Sequence, residues 1–176
     1  MARTTDGKKV FDTADLPLRY EDLQGEGMFH ERSGEIVFGL SLDEAVKRGF
    51  LIRPRTVVEM TKGPRARMAG AFCVATQAST SSKSCVLIDP FCGSGSLVYE
   101  VAQQLHPSHI ITTELDGTTA KFAQHNLNLL NSGIEVLNRS FDQISDRLKT
   151  LPKHAPVFVL IDPPWQDGYD QTGGMD

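Results

Sequence analysis

Two apolar runs about seventy residues apart each end in an aspartate and then turn sharply: Val86-Leu-Ile-Asp-Pro-Phe-Cys-Gly-Ser-Gly-Ser96 and Val157-Phe-Val-Leu-Ile-Asp-Pro-Pro-Trp165. The first turns through Gly93 and Gly95 into a helical pattern, the second through two prolines and a tryptophan. The alternation continues between them. It predicts strands over 85–88, 109–113, 134–137 and 157–161, and helices over 95–105, 118–130 and 141–148. Strands that are apolar throughout belong to a parallel sheet covered by helices on both faces. The predicted fold class is α/β, a doubly wound, mostly parallel, Rossmann-like sheet. Ligands of such sheets bind beyond the carboxyl ends of the strands, where both motifs place their acids.

Upstream the chain is less regular. Residues 1–33 are polar and read as an extended or partly ordered arm, and 35–40 as a short strand. Ser41 to Gly49 predicts a short helix, with Ser41 as N-cap, Glu44 completing a capping box and Gly49 as the stop. An Ala- and Met-rich stretch over 65–77 predicts another helix. The polar run Ala78-Ser-Thr-Ser-Ser-Lys-Ser84 reads as a linker, dividing an N-terminal extension (1–78) from a sheet domain (79–176). Only four sheet strands follow that linker, so the sheet is expected to be the N-terminal half of a larger one, incomplete at the C-terminus.

With 176 residues, 40% of them hydrophobic, the chain can bury a core. No apolar run approaches the roughly 20 residues of a membrane helix, and Met1 to Val10 holds no secretory signal. Cys73, Cys85 and Cys92 lack paired spacing and read as structural thiols, with no metal site or disulfide. The expectation is an intracellular protein, nuclear or cytoplasmic, without membrane contact. The net charge of −4 hides an asymmetry: Arg53, Arg55, Lys62, Arg65 and Arg67 face one acid, Glu59, within fifteen residues. A short basic run is ordinarily solvated surface; beside a catalytic body it is a candidate phosphate-binding strip.

In the first motif, Gly93 and Gly95 permit positive φ and close approach of a ligand, and the helix that follows offers unpaired N–H groups to an anion. A dinucleotide site would carry a third glycine, absent near Tyr99. A ligand with a methionine carboxylate and ammonium fits better, with Asp89 for the ammonium and Phe91 in the same loop. Glu114, nineteen residues after Gly95, ends the second strand and can accept both hydrogen bonds of a ribose diol, with Leu115 beside it. Asp116 would cap the next helix. At the third strand end, Ser140, Phe141 and Asp142 are candidates for an adenine amino group and ring, or are simply helix-capping residues. The cofactor these features suggest is S-adenosyl-L-methionine.

Asp162-Pro-Pro-Trp165 suggests the acceptor. An exocyclic base amine is a poor nucleophile because its lone pair is delocalised into the ring. The Asp162 carboxylate and the Pro163 carbonyl can accept its two N–H bonds and aim the lone pair. Pro163 and Pro164 stiffen the turn without adding a competing donor, and Trp165 offers a stacking face.

These residues resemble the class I S-adenosylmethionine-dependent methyltransferases that modify base amino groups, with signature [Asp/Asn/Ser]-Pro-Pro-[Tyr/Phe/Trp]. Within that class the chain is similar to the RNA cap guanine-N2 methyltransferases, the trimethylguanosine synthases. The similarity lies in Asp89-Pro-Phe-Cys-Gly-Ser-Gly95, Glu114-Leu-Asp116, Asn126 and Pro163-Pro-Trp165 with Gly168-Tyr-Asp170, and more faintly in Glu26-Gly-Met-Phe29. Cap enzymes usually carry Ser where this chain has Asp162, a residue more typical of ribosomal guanine-N2 and adenine-N6 enzymes. The resemblance implies transfer to guanine N2 of RNA, capped RNA or rRNA, with Trp165 on the base. Arg53, Arg55, Arg65 and Arg67 are the candidate RNA contacts. A non-catalytic RNA- or cofactor-binding module is the competing expectation.

Overall fold

The structure is a computed structural model describing residues 4–5, 8–9, 16–24, 32–163, 169–170 and 174–175. Its centre is a four-stranded parallel sheet of β1 (Val86–Asp89), β2 (His109–Glu114), β3 (Val136–Asn138) and β4 (Val157–Val159), in the order β3-β2-β1-β4. Val86 pairs with His109 on one side and Val157 on the other, and Glu114 with Asn138. Strand order reverses beside β1, between its neighbours β2 and β4, and at this switch point the ends of adjacent strands diverge to leave room for a ligand.

The continuous apolar run predicted a strand covered on both faces, and all four residues of β1 are buried. On one face, Leu87 packs with Val98, Val101 and Leu105 of helix α4 (Ser96–Leu105) and with Ala123 and Leu127 of α5 (Gly117–Leu129). On the other, Val86, Ile88 and Ile111 pack on Ile144. The sheet is thus wound on both sides, as expected. At the β4 edge the expectation of full burial fails: Val157 and Val159 are exposed, as is Ile161 beyond them. An edge strand has one neighbour, and among the described residues nothing covers these side chains.

The upstream residues build a second small core. Residues 35–40 form a hairpin, Ile36–Val37 against Leu40–Ser41, rather than one strand. Its turn places Phe38 and Gly39 at positive φ, the geometry that matches strand twist in a two-residue hairpin. Phe38 then packs on Phe50 and on Tyr99 of α4, with ring centroids 5.0 and 6.0 Å apart. The short helix appears as α1 (Leu42–Lys47), with Gly49 at positive φ as its stop. The capping box does not form: the Ser41 hydroxyl donates to Asp43, and Glu44 pairs with Arg48 instead of reaching back. Within the arm expected over 1–33, residues 16–24 are partly ordered: Tyr20–Leu23 form a 3₁₀ turn, Leu18 and Leu23 are buried in this second core, and the Leu18 N–H donates to the Ile52 carbonyl.

A proline near the first turn opens both α2 (Pro54–Glu59) and α3 (Gly63–Ala78), where its missing N–H costs nothing. α3 lies on α4, with Gly70 close against Gln104 and Cys73 in one core with Val98 and Val101. All three cysteines are buried and unpaired. The single helix expected over 141–148 splits into a 3₁₀ turn (Phe141–Ile144) and α6 (Ser145–Lys149). The Gln143 N–H bonds three residues back to Ser140, which sets the tighter first turn, and of these residues only Ile144 is buried. No helix among the described residues is long and apolar enough to cross a membrane.

Candidate active site

A cleft of about 470 Å³ opens at the carboxyl ends of the strands, bounded by two walls of different construction. The sheet-side wall comes from the loops after β1, β2 and β3. After β1 the chain turns by Asp89 accepting the Phe91 N–H at 3.1 Å and Cys92 N–H donating to the Thr113 carbonyl at 2.9 Å. Gly95 sits at φ +86°, with the Leu127 side chain 3.2 Å from where a Cβ would be. A larger residue here would strain the backbone and strike the core. Gly93, at φ +53°, aims its N–H at Glu114 Oε2 at 3.0 Å, while Oε1 accepts the Asp116 N–H at 2.9 Å. Each Glu114 oxygen keeps a lone pair for a ligand.

Asp89 is the unusual group. It is 1% exposed, and its Oδ2 is buried without a hydrogen-bond partner. Burial, with smaller contributions from the nearby Asp162 and Glu114 carboxylates, raises its pKa to about 7 against a relieving bond from the Phe91 N–H. An unpaired buried acceptor beside two other acids is destabilising by itself. A cation placed there would offset all three causes, so the site fits an ammonium or sulfonium ligand.

The apolar part of this wall is Leu115 (73% exposed), Phe141 (52% exposed) and Phe91, whose ring lies 5.4 Å from that of Phe141. Large exposed side chains gathered in one cleft suit a flat aromatic group. Ser140 also lines the cleft; it stands at the N-cap position of the 3₁₀ turn without a side-chain capping bond. Asp142 lies exposed outside the cleft lining. Asp116 caps α5 as expected, accepting the Thr119 N–H at 2.7 Å.

The second wall is the stretch from Arg53 to Thr61, which the sequence marked only by its charge. Arg53 donates to Asp116 at 2.8 Å and to Thr119 at 3.0 Å, and Arg55 pairs with Glu59. Both arginines line the cleft, whereas Arg65 and Arg67 stand exposed on α3 outside it. The basic run is therefore two groups on different elements and not one strip. Asp162 and Pro163 enter at the end of β4, and the Thr61 hydroxyl donates to Asp162 Oδ2 at 2.5 Å. Pro164 and Trp165, with Gly168 and Glu26 to Phe29, lie outside the described residues, and Tyr169 and Asp170 are described only as a short strand.

Asn126 joins the two walls. Fully buried, it accepts the Leu51 N–H at 2.7 Å and donates to the Leu51 carbonyl at 2.9 Å and, more distantly, to that of Ser94 at 3.4 Å. Sequence reasoning did not anticipate Glu59, Met60, Thr61 or Arg139 in the cleft; Arg139 directly follows β3, whereas long-range packing brings the other three there.

No curated protein matches the sequence significantly. Among solved structures, a putative transferase from Pyrococcus horikoshii matches at 20% identity with a TM-score of 0.36, over 64% of this chain and 39% of its own. The family model described as conserved hypothetical protein 95 matches residues 66–173, from within α3 past the last sheet strand and over more than half of the chain. The chain belongs to that family, one of class I methyltransferase fold.

Proposed function

We propose that this protein is an S-adenosylmethionine-dependent RNA methyltransferase whose acceptor is the N2 amine of guanine. The observation that carries the reading is that Glu114 and Asp162, two strand-end acids with different surroundings, line one cleft, with Asp89 buried close behind them. In this reading Asp89 holds the cofactor's ammonium through its unpaired oxygen. Glu114 takes the ribose hydroxyls, and Leu115, Phe91 and Phe141 enclose the adenine, with Ser140 at its edge. Bound there, the cofactor supplies a methyl group already activated on a sulfonium.

The remaining work falls to the chain. Asp162 and the Pro163 carbonyl accept the two N–H bonds of the base amine and turn its lone pair toward the cofactor side of the cleft. Trp165 stacks on the base. The gain in rate comes from holding two reactants in line.

The RNA is ribosomal in this proposal. Asp162 is a residue more typical of ribosomal guanine-N2 and adenine-N6 enzymes than of cap enzymes, and the family is ribosomal-methyltransferase-like. Capped RNA, favoured by the Pro-Pro-Trp resemblance, is the competing substrate.

The test is incubation of the full chain with labelled cofactor and a panel of rRNA, capped RNA, DNA and protein. Label in guanine N2 of rRNA is the expected result. Label only in protein or a small molecule would overturn the reading, and label in the cap would redirect it. Asp162→Ala should lower kcat with little change in substrate affinity. Trp165→Ala should weaken RNA binding by about 1–3 kcal/mol, and equally for plain and 7-methylated guanine; a larger loss on the cationic base would favour the cap.

A further inference from the structure

We infer that Thr61 is a positioning residue for the acceptor amine and acts through Asp162; this rests on the proposed methyl transfer. Its hydroxyl donates to Asp162 Oδ2 across 101 residues of sequence, and both residues line the cleft. The bond fixes which carboxylate oxygen is engaged. With Oδ2 held by Thr61, the carboxylate cannot swing freely about its terminal torsion, which is otherwise broad. Oδ1 is left to accept an N–H from the base.

Thr61 can do this because its backbone is anchored on both sides. On one side, Met60 N–H bonds back to Thr56 at the end of α2. On the other, the Lys62 ammonium reaches the Val57 carbonyl and pairs with Glu35 at 2.9 Å. Gly63 opens α3 against Ile36, whose side chain would lie 2.6 Å from a Cβ at that position. The residue between these anchors has little freedom to carry its hydroxyl elsewhere. The wall built by the N-terminal residues thereby sets the angle of a group supplied by the sheet.

The test compares Thr61→Val, which removes the hydroxyl at nearly constant shape, with Thr61→Ala and Thr61→Ser in the full chain, in the RNA methylation assay. A hydrogen bond to a charged group sets the scale. Val and Ala should each lower kcat roughly tenfold or more, with KM for RNA within about twofold. Ser should restore most of the loss, and the melting temperature of each variant should stay close to wild type. In an Asp162→Ala background, Thr61→Val should cost nothing further, because its only route to the amine has been removed. Unchanged kcat in both Val and Ala variants of an active enzyme would overturn this inference alone. So would an equal loss in the Asp162→Ala background, or failure of Ser to rescue. A wild-type chain that methylates no RNA would overturn the parent reading and this inference with it.

Discussion

The two walls of the cleft solve the same problem by different means. On the sheet side, ligand groups are presented by backbone geometry: Gly93 and Gly95 at positive φ, N–H groups turned toward Glu114, and an aspartate walled off from water with one oxygen unbonded. On the helix side the work is done by side-chain pairs, Arg53 with Asp116, Arg55 with Glu59 and Thr61 with Asp162. The first wall is rigid because the loop has few alternatives. The second is rigid only as long as distant partners hold it.

The largest expected effect comes from Asp89, where the sheet wall stores its strain. With a native pKa of about 7 against 3.8 for the free group, the folded state holds a proton that the unfolded state has lost between those values. Stability should therefore fall as pH rises from about 4 to about 7 and level off above it, by at most about 4 kcal/mol. Asp89→Asn should abolish that decline, raising the melting temperature at pH 8 relative to wild type. It should also weaken cofactor binding by about a hundredfold, since burial makes the charge most effective. Thermal melts across pH with calorimetric titration check both; a destabilised Asn variant would contradict the strain account.

Next in size is the joint between the walls. Asn126→Leu keeps approximate volume but leaves the Leu51 N–H and carbonyl without their partner, each worth about 1–3 kcal/mol. Urea unfolding should show a loss of roughly 3 kcal/mol. A loss below about 1 kcal/mol would mean that the walls are held independently.

The smallest effects separate the arginines. Arg53→Ala breaks a partly buried contact to Asp116 and Thr119, and should cost about 1 kcal/mol of stability and loosen the cofactor side. Arg65→Ala, on the exposed face of α3, should leave stability within about 0.5 kcal/mol. If Arg65 touches a phosphate, its removal should lower the salt slope of RNA binding by about 0.7. An unchanged slope would make Arg65 solvated surface only.

Much of the sheet wall was legible in the sequence, because its determinants are local. The apolar run 86–88, the acid at 89 and the glycines at 93 and 95 lie within ten residues, and Asp116 caps its helix three residues on. The helix wall was not, because nothing near Thr61 announces a partner at position 162, and Arg53 reads as surface until Asp116 is beside it. The hairpin at Phe38 was missed for a similar reason: a non-glycine residue at positive φ is held there by packing on Phe50 and Tyr99. Ser41 shows the opposite error, where a cap motif matched locally but Asp43 competed for the hydroxyl.

The strand order also has a consequence in time. β1 pairs with β2 across a short connection, but its other neighbour, β4, arrives some seventy residues later. Closing that longer loop costs an additional entropic toll that grows with the logarithm of its length. As the chain leaves the ribosome, the loop after β1, Glu114 and the Asn126 joint can all be in place before the strand carrying Asp162 emerges. The part of the cleft proposed to hold the cofactor can thus mature first, and Asp162, the group proposed to orient the acceptor, is added to it last.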